Sequence, residues 1–280
     1  RGFGGPQGMI GIERVMDHAA FALGRDPVSV RRANFYADRA DASGGSISAK
    51  MKPQTTPYHM PVEDFAGHDL VAALEASSDY QARRAEIAAW NAGSAVLKRG
   101  IALTPVKFGI SFTLTWLNQA GALVHVYQDG SIHLNHGGTE MGQGLYTKVA
   151  QVVADCFQVD VDTVKITATT TGKVPNTSAT AASSGSDLNG MAAFDAARQI
   201  KERLIAFASE KYGVSPAEVA FLPNRVRVGE QIFTFGEFVK QAYFARVQLS
   251  AAGFYKTPKI HWDRAAGRGT PFYYFAYGAA

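Results

Sequence analysis

The sequence predicts an α+β fold in which β-rich layers carry packed helices. Apolar residues recur at helical spacing in the first part of the chain, whereas β-prone segments dominate from Arg99 onward. Those later β segments then alternate with further helical stretches. The 280 residues are enough for one large domain or two smaller ones. We therefore predict a boundary at the change of period, between residues 98 and 99.

The first 98 residues are predicted to be helical apart from one long loop. Residues 9–23 have the apolar spacing of an amphipathic helix, which Gly24 ends. Asp26-Pro27 supplies an N-cap and a first-turn proline for a second, short helix. Residues 37–61 are rich in Gly, Ser and Pro and predict a loop. A helical region follows over residues 69–90.

The remainder is predicted to combine hairpins with longer helices. Asp129-Gly130 is a turn signal between two β-prone segments. A glycine loop then leads into a helix with apolar residues from Leu145 to Cys156, and residues 164–171 predict a strand. A long helix is expected to end near Tyr212, and Ser215–Glu218 has the pattern of a capping box.

Composition excludes several classes of protein. The net charge is only +4 and no block of Lys and Arg occurs, so we expect no nucleic-acid partner. No apolar run is long enough to span a bilayer, and we expect a cytoplasmic protein without a membrane partner. The single cysteine, Cys156, cannot form an internal disulfide or hold an iron–sulfur cluster alone, and is predicted to be a small buried hydrophobe.

Three loops of small residues precede helices: "RGFGGPQG", "HGGTEMGQG" and "SATAASSGSD". A helix N-terminus presents unpaired N–H groups and partial positive charge, and glycine or alanine lets a ligand approach the backbone. Ser183, Ser184 and Ser186 add hydroxyl groups, and Gln143 adds an amide. Together the loops predict one polar ligand that has several hydrogen-bonding edges and a phosphate.

Common catalytic and nucleotide motifs are absent from the sequence, and two questions stay open. No G-x-G-x-x-G, phosphate-binding P-loop, G-x-S-x-G or H-E-x-x-H pattern occurs. Glu140 could be a general base, although a carboxylate in such a loop more often caps or bonds the loop. Phe112 could be a core aromatic, or together with Phe3 it could form a slot for a flat heteroaromatic substrate.

Several longer strings occur in order from the first residue to the last, including "RGFGGPQGM", "KFGISFT", "HGGTEMGQGL", "VPNTSATAASSGSD" and "FYYFAYGAA". These strings resemble the xanthine dehydrogenase family of molybdenum hydroxylases. The resemblance is to the molybdenum-binding large subunit of the bacterial type. It implies that residues 1–98 belong to a preceding molybdopterin-binding subdomain and residues 99–280 to a second, C-terminally truncated one. Both ends look like cuts in a longer polypeptide.

The resemblance also implies roles for individual residues. Arg1 would lie beside the molybdenum, Phe3 and Phe112 would sandwich a purine ring, and Thr113 would hydrogen-bond the substrate. No protein side chain would ligate the metal. The residues that would hold the cofactor are Gly142, Gln143, Ala182, Ser183 and Ser186, with Ala182 nearest to the molybdenum.

Other parts of such an enzyme are expected outside this chain. The general-base glutamate would lie downstream, so no catalytic residue is assigned here and the chain alone is predicted to be inactive. The 2Fe-2S clusters and FAD would lie in partner domains or an iron–sulfur/flavin subunit of a hetero-oligomer, with NAD as acceptor. The implied reaction is oxidation of hypoxanthine or xanthine to urate. An aldehyde or other N-heterocycle hydroxylase of the same cofactor class, and a non-catalytic fragment or paralogue, are the alternatives.

Overall fold

The computed structural model describes residues 4–37, 54–174 and 176–280. The chain divides into two compact units: the first comprises residues 1–113 and 259–280, and the second residues 114–258. The sequence analysis places a boundary between two molybdopterin-binding subdomains at residues 98 and 99. That boundary stays a prediction.

Helices and strands are interspersed along the described chain. The helices are α1 (Gly5–Ala22), α2 (Pro27–Ala33), α3 (Gly67–Ser77), α4 (Tyr80–Gly93), α5 (Leu145–Phe157), α6 (Gly185–Tyr212) and α7 (Phe235–Phe244). The strands are β1 (Pro105–Gly109), β2 (Gln119–Val126), β3 (Ile132–His136), β4 (Val164–Ile166), β5 (Val219–Leu222), β6 (Arg225–Val228), β7 (Gln231–Thr234), β8 (Ser250–Lys256), β9 (His261–Asp263), β10 (Arg268–Thr270) and β11 (Phe275–Ala279). The predicted α+β class is confirmed. No helix among the described residues combines the length and apolar character that crossing a bilayer requires.

The first unit contains α1–α4 and two antiparallel strand pairs, β1 with β11 and β9 with β10. Its small core is formed by Val28, Val71, Tyr80 and Leu103. The side chain of Arg31 on α2 is only 4% exposed and reaches α1. There its guanidinium donates to a carboxylate oxygen of Glu13 at 2.6 Å and of Asp17 at 2.8 Å. Since α1 contributes one fully buried residue, Ala20, these ion pairs are a main link between the two helices.

The helical predictions for this unit are confirmed. The first helix spans Gly5–Ala22, and several of its apolar side chains are exposed, Val15 by 59% and Phe21 by 90%. The helical region predicted over residues 69–90 consists of two helices, because Asp79 has a left-handed φ of 50° that no continuous α-helix permits. The second helix starts with Pro27 and is capped by Asp26 as predicted. Most of the predicted 37–61 loop lies outside the described residues.

The second unit is built on a four-stranded sheet of order β4-β3-β2-β8, in which only the β3–β4 pair is parallel. A smaller antiparallel sheet, β5-β6-β7, adjoins α7 in the chain. Helices α5 and α6 pack together beside the larger sheet. Side chains that are fully buried in this core include Val124, Leu134, Val149, Ile200 and Leu204.

Helix α6 lies unusually close to strand β8. The closest point is Gly253 on β8, where a Cβ atom would lie 2.1 Å from the carbonyl oxygen of Ala192 and 2.5 Å from the Ala196 nitrogen. Only glycine permits such contact of backbone on backbone. Ala192 lies only two turns after the first residue of α6. This contact therefore also sets the distance between the first turn of α6 and the sheet.

Most predicted elements of the second unit are confirmed. They are the turn at Asp129-Gly130, the helix from Leu145, the end of the long helix at Tyr212 and the capping box of Ser215–Glu218. The capping box starts a 3-10 turn. Cys156 is a buried free cysteine.

The strand predicted over residues 164–171 is shorter than expected, since β4 ends at Ile166. After it, side chains replace the ladder hydrogen bonds. The hydroxyl of Thr167 donates to the side-chain oxygen of Asn135 at 2.7 Å, and that of Thr169 contacts the carbonyl oxygens of His136 and Gly138. Threonine has a high β propensity, but the strand ends here because the threonine side chains take the place of the backbone ladder bonds.

Candidate functional site

Two of the three predicted loops adjoin each other in the second unit. The 137–144 loop joins β3 to α5, and the 176–184 loop precedes α6. The amide of Thr139 donates to the hydroxyl oxygen of Thr180 at 2.8 Å, which links the two loops directly. A Cβ at Gly137 would lie 2.1 Å from the hydroxyl oxygen of Thr177, so glycine is needed for this approach.

The 137–144 loop folds around the carboxylate of Glu140. One carboxylate oxygen accepts the amides of Gly142 at 2.8 Å and Gly144 at 3.1 Å, and the other accepts the amide of Tyr146 at 3.1 Å. These hydrogen bonds, that of Tyr146 first, lower the pKa of Glu140. A carboxylate held ionised in this way is a weak base, so the geometry favours the loop-bonding interpretation of Glu140 over the general base.

The side chain of Gln143 closes the same loop. Its oxygen accepts the amide of Met141 at 2.6 Å, and its nitrogen donates to the carbonyl of Thr139 at 2.9 Å. Gly142 and Gly144 have positive φ values of 94° and 75°, which glycine adopts without strain. The amide group of Gln143 can form one further bond through each of its atoms.

The 176–184 loop presents its backbone differently. Ala182 and Ser183 are both left-handed, with φ values of 54° and 57°. Each costs roughly 1–2 kcal/mol relative to a right-handed conformation. The N-cap residue of α6, Ser184, does not cap the helix with its side chain, because its hydroxyl donates to the carbonyl of Ala181 at 2.9 Å. Strain of this kind, next to an uncapped helix N-terminus, is typical of a ligand-binding loop.

The first amides of α6 are available to a ligand. Within the described residues, no acceptor is found for the amides of Gly185 or Ser186. They begin a helix of 28 residues, whose N-terminus carries partial positive charge. This part of the structure has the features of an anion-binding site.

Buried polar groups without partners lie next to the two loops. His136 is 2% exposed, and its Nδ1 accepts the amide of Gly138 at 3.1 Å, which places the ring proton on the partnerless Nε2. Burial lowers the pKa of His136 to about 4, so the ring is neutral. Asn189, which is 4% exposed, donates to the carbonyl of Gly185 at 2.8 Å while its oxygen has no partner. Such groups are normally satisfied by a ligand or an ordered water.

One carboxylate near the start of α6 is also incompletely paired. One oxygen of Asp187 is buried without a hydrogen-bond partner. Burial raises the pKa of this group from 3.8 to about 6. The side chain is therefore protonated more readily than an exposed aspartate as the pH falls towards 6.

These donors fit an anionic ligand with polar edges. Two adjoining loops offer backbone amides, hydroxyls, the amide of Gln143 and buried polar groups without partners. No group of three or more His, Cys, Asp or Glu side chains could hold a metal ion in the part of the chain that the structure describes.

The predicted site residues fall into three sets. Five lie on the adjoining loops or in the first turn of α6: Gly142, Gln143, Ala182, Ser183 and Ser186. Phe112 and Thr113 belong to the first unit, where Phe112 is half-buried and Thr113 is exposed. Arg1 and Phe3 lie outside the described residues.

Sequence reasoning missed the polar groups beneath the loops. His136, Asn189 and the Thr139–Thr180 link have no motif that distinguishes them from ordinary structural residues. The available signal was the glycine pair directly after His136, since consecutive glycines following a strand indicate close approach of another backbone or a ligand.

The fold and the loops define a class of protein: an α+β domain that binds an anionic cofactor through helix N-termini and backbone amides. A family model described as "Molybdopterin cofactor-binding domain" matches residues 73–280, and a second model with the same description matches residues 1–35. The chain belongs to the molybdopterin cofactor-binding domain family.

Xanthine dehydrogenases are among its relatives. The chain is 41% identical to the xanthine dehydrogenase of Oryza sativa subsp. japonica over 280 residues, and 41% identical to the xanthine dehydrogenase/oxidase of Mus musculus over the same length. Each comparison covers 100% of this chain and 18% of the relative, so the chain spans less than a fifth of their length. These similarities confirm the resemblance found in the sequence.

Solved structures confirm the fold. The Cu,Mo-CO dehydrogenase in its carbon monoxide reduced state superposes with a TM-score of 0.74 at 20% identity, covering 98% of this chain and 34% of that one. The aldehyde oxidoreductase of Desulfovibrio desulfuricans ATCC 27774 gives a TM-score of 0.68 at 20% identity, covering 100% and 26%. At this identity the likeness concerns architecture alone.

Proposed function

We propose that this chain is part of a molybdenum hydroxylase of the xanthine dehydrogenase type, and that it binds the molybdopterin cofactor and the purine substrate. The observation that carries the proposal is the pair of adjoining loops at the open N-terminus of α6. Identity of 41% to xanthine dehydrogenases over the full 280 residues supports it. The bound cofactor would supply the redox centre at which a substrate carbon is hydroxylated and two electrons are removed.

The second unit would hold the cofactor. The amides of Gly185 and Ser186, with the hydroxyl groups of Ser183 and Ser186, would bind its phosphate. Gln143 would hydrogen-bond a polar edge of the cofactor through the one donor and one acceptor position that its loop contacts leave free. The small side chain of Ala182 would keep the space next to the molybdenum clear, and Gly142 would allow close approach of the backbone.

The first unit would contribute to substrate binding. Phe112 would pack against the purine ring, Thr113 would hydrogen-bond its polar edge, and Phe3 would cover the opposite ring face. Arg1 would lie beside the molybdenum. A ring held between two phenyl groups gains burial and directional stacking, and excludes water from the reacting carbon. The general base would come from a glutamate outside this chain and would take a proton during hydroxylation.

The proposal includes partners beyond this chain. Electrons would leave through 2Fe-2S clusters and FAD in partner domains or an iron–sulfur/flavin subunit, with NAD as acceptor, in a cytoplasmic hetero-oligomer.

Turnover by the intact protein tests the reaction. Purified protein containing this chain is assayed for molybdenum, pterin and urate formation from xanthine, with and without NAD. NAD-dependent urate formation is expected. Turnover of an aromatic aldehyde or another heterocycle without urate would keep the cofactor and replace the substrate, and absence of both molybdenum and pterin would contradict the proposal.

A substitution at Phe112 tests the substrate site. We expect Phe112→Ala in the intact protein to weaken xanthine binding about tenfold or more, because removing one aromatic partner loses stacking and apolar contact. Phe194→Ala is the matched control, since Phe194 is a partly exposed aromatic on α6. Steady-state kinetics that are unchanged in Phe112→Ala would assign this residue to packing alone.

A further inference from the structure

The starts of α5 and α6 differ in charge although both follow loops of small residues. At α5, the N-cap residue Gly144 has no side chain to cap with, yet the amides of Gly142, Gly144 and Tyr146 donate to the Glu140 carboxylate. At α6, the hydroxyl of Ser184 turns away to a carbonyl and the next amides have no acceptor in the described chain. The first amides of α5 are therefore bonded to a carboxylate of their own loop, whereas the amides of Gly185 and Ser186 at the start of α6 are left without an acceptor in the described chain.

This difference assigns separate roles to the two loops. A phosphate at the start of α5 would have to displace an ionised carboxylate and would be repelled by it. At the start of α6 the amides of Gly185 and Ser186 have no acceptor among the described residues, because the Asp187 carboxylate in this turn bonds the amides of Asp187 and Leu188 instead. The 137–144 loop would instead bind an uncharged polar edge of the cofactor through Gln143. The position of Gln143 depends on the backbone of the same loop, which its side chain bonds at Thr139 and Met141.

We infer that Glu140 is a positioning residue: its carboxylate replaces an external anion at the start of α5 and thereby holds Gly142 and Gln143 in place for the cofactor. The identity of the cofactor rests on the proposed function. The holding of the loop rests on contacts that exist without any ligand, from Glu140 to the amides two, four and six residues ahead.

Both the charge and the length of the glutamate side chain matter in this geometry. Aspartate is shorter by one carbon–carbon bond, about 1.5 Å, and cannot reach across four residues of loop to Tyr146 while also bonding Gly142. Glutamine has the same shape, but its NH2 group would face at least one backbone amide, donor against donor. A role that only fills space would tolerate glutamine, and the proposed role does not.

The test compares Glu140→Gln and Glu140→Ala with Glu237→Ala in the intact protein. Glu237 is the matched control because it too bonds a helix start, accepting the amide and hydroxyl of Thr234 at 2.9 and 2.8 Å, but it belongs to α7. Three quantities are measured: molybdenum and pterin per protein, amide hydrogen exchange over residues 142–146, and the melting temperature. Both Glu140 variants are expected to lose cofactor and to exchange these amides about tenfold faster.

A small carboxylate provides a rescue experiment. In Glu140→Ala the vacated amides form an open anion site, so acetate is expected to slow their exchange and raise cofactor content, whereas chloride at equal ionic strength is not. The wild type, whose site is filled by Glu140, is expected not to respond to acetate. Glu237→Ala is expected to lower the melting temperature while keeping the cofactor.

Several outcomes would overturn the inference. Cofactor loss in Glu237→Ala equal to that in the Glu140 variants would show an ordinary effect of stability. Normal cofactor content and exchange in Glu140→Gln would show that the carboxylate charge has no part in the loop. If the wild type holds neither molybdenum nor pterin, the proposed function fails, and the exchange and acetate measurements alone decide the role of Glu140.

Discussion

The contact between α6 and β8 predicts a large effect from the smallest possible substitution, Gly253→Ala. The added methyl group would lie 2.1 Å from the carbonyl oxygen of Ala192 and 2.5 Å from the nitrogen of Ala196. Separations under 3.0 Å are essentially never seen for a real Cβ atom. Because both neighbours are backbone atoms, no side chain can rotate to relieve the contact, and α6 must move off the sheet by about 1 Å.

The cost follows from that displacement. A radial gap of about 0.5–1 Å forfeits a quarter to a half of the dispersion attraction between the separated surfaces. The surfaces here include the fully buried side chains of Ala192, Ala193, Ala196 and Ala197. Overpacking a well-packed core costs about 1–3 kcal/mol, and a contact with no adjustable side chain belongs at the upper end. We expect Gly253→Ala to lower the free energy of unfolding of the second unit by about 3 kcal/mol.

Thermal unfolding and hydrogen exchange measure this loss. At about 2–4 °C per kcal/mol, the melting temperature is expected to fall by about 6–12 °C. The matched control is Gly190→Ala on the same helix, where the nearest atom to an added Cβ is a methyl carbon of Val152 at 3.6 Å, an ordinary contact. That variant gains helix propensity and is expected to be neutral or more stable by up to about 1 kcal/mol.

The same substitution should reach the cofactor loops. Moving α6 displaces the amides of Gly185 and Ser186, so molybdenum and pterin content should fall together with stability in Gly253→Ala and stay normal in Gly190→Ala. Equal melting temperatures for the two variants would refute the close packing that the structure shows. A destabilised Gly253→Ala protein with full cofactor content would refute the argument that this contact sets the height of the helix start.

Three further predictions concern single side chains. Burial raises the pKa of Asp187 from 3.8 to about 6, so its contribution to stability is present below pH 3.8 and lost as the pH rises through about 6. Asp187→Asn should therefore gain up to about 3 kcal/mol over the wild type between pH 4 and 7 in urea titrations, and a constant difference would contradict this. Arg31→Ala, which leaves two carboxylates facing each other, should destabilise the first unit by about 3 kcal/mol, with Arg31→Lys intermediate by thermal unfolding. Thr180→Val removes the acceptor of the Thr139 amide and should cost about 1 kcal/mol and part of the cofactor, whereas Thr180→Ser should restore both unless the loops are joined in another way.

The elements that the sequence predicted best are those with a strong local signal. The capping box at Ser215–Glu218, the Asp129-Gly130 turn and the apolar stripe of α5 depend on neighbours in the chain, and each was confirmed. The prediction was wrong where distant contacts decide, since the strand after Val164 ends early because threonine hydroxyls bond β3. The sequence also did not show the break at Asp79 within the confirmed helical region, because no proline or glycine marks it.

The candidate site shows the same division. Small residues before helices located the 137–144 and 176–184 loops correctly, because access to backbone amides requires small residues. The sequence could not show that Glu140 closes one helix start while Ser184 leaves the other open, since both glutamate and serine are able to bond a loop. That choice depends on side-chain conformation, and only the structure reveals it.

The amides of Gly185 and Ser186 are backbone groups, and no substitution other than proline removes them. The sequence therefore controls cofactor binding by determining which backbone amides have no side-chain acceptor within the chain. Ser184 could cap α6 but bonds Ala181, and Glu140 could repel a phosphate but is enclosed in its own loop. A substitution that gives the first amides of α6 an internal acceptor should abolish cofactor binding without removing a single contact residue. The effect of a variant in these loops on cofactor binding consequently depends on which backbone amides gain or lose an internal acceptor, more than on which side chain is deleted.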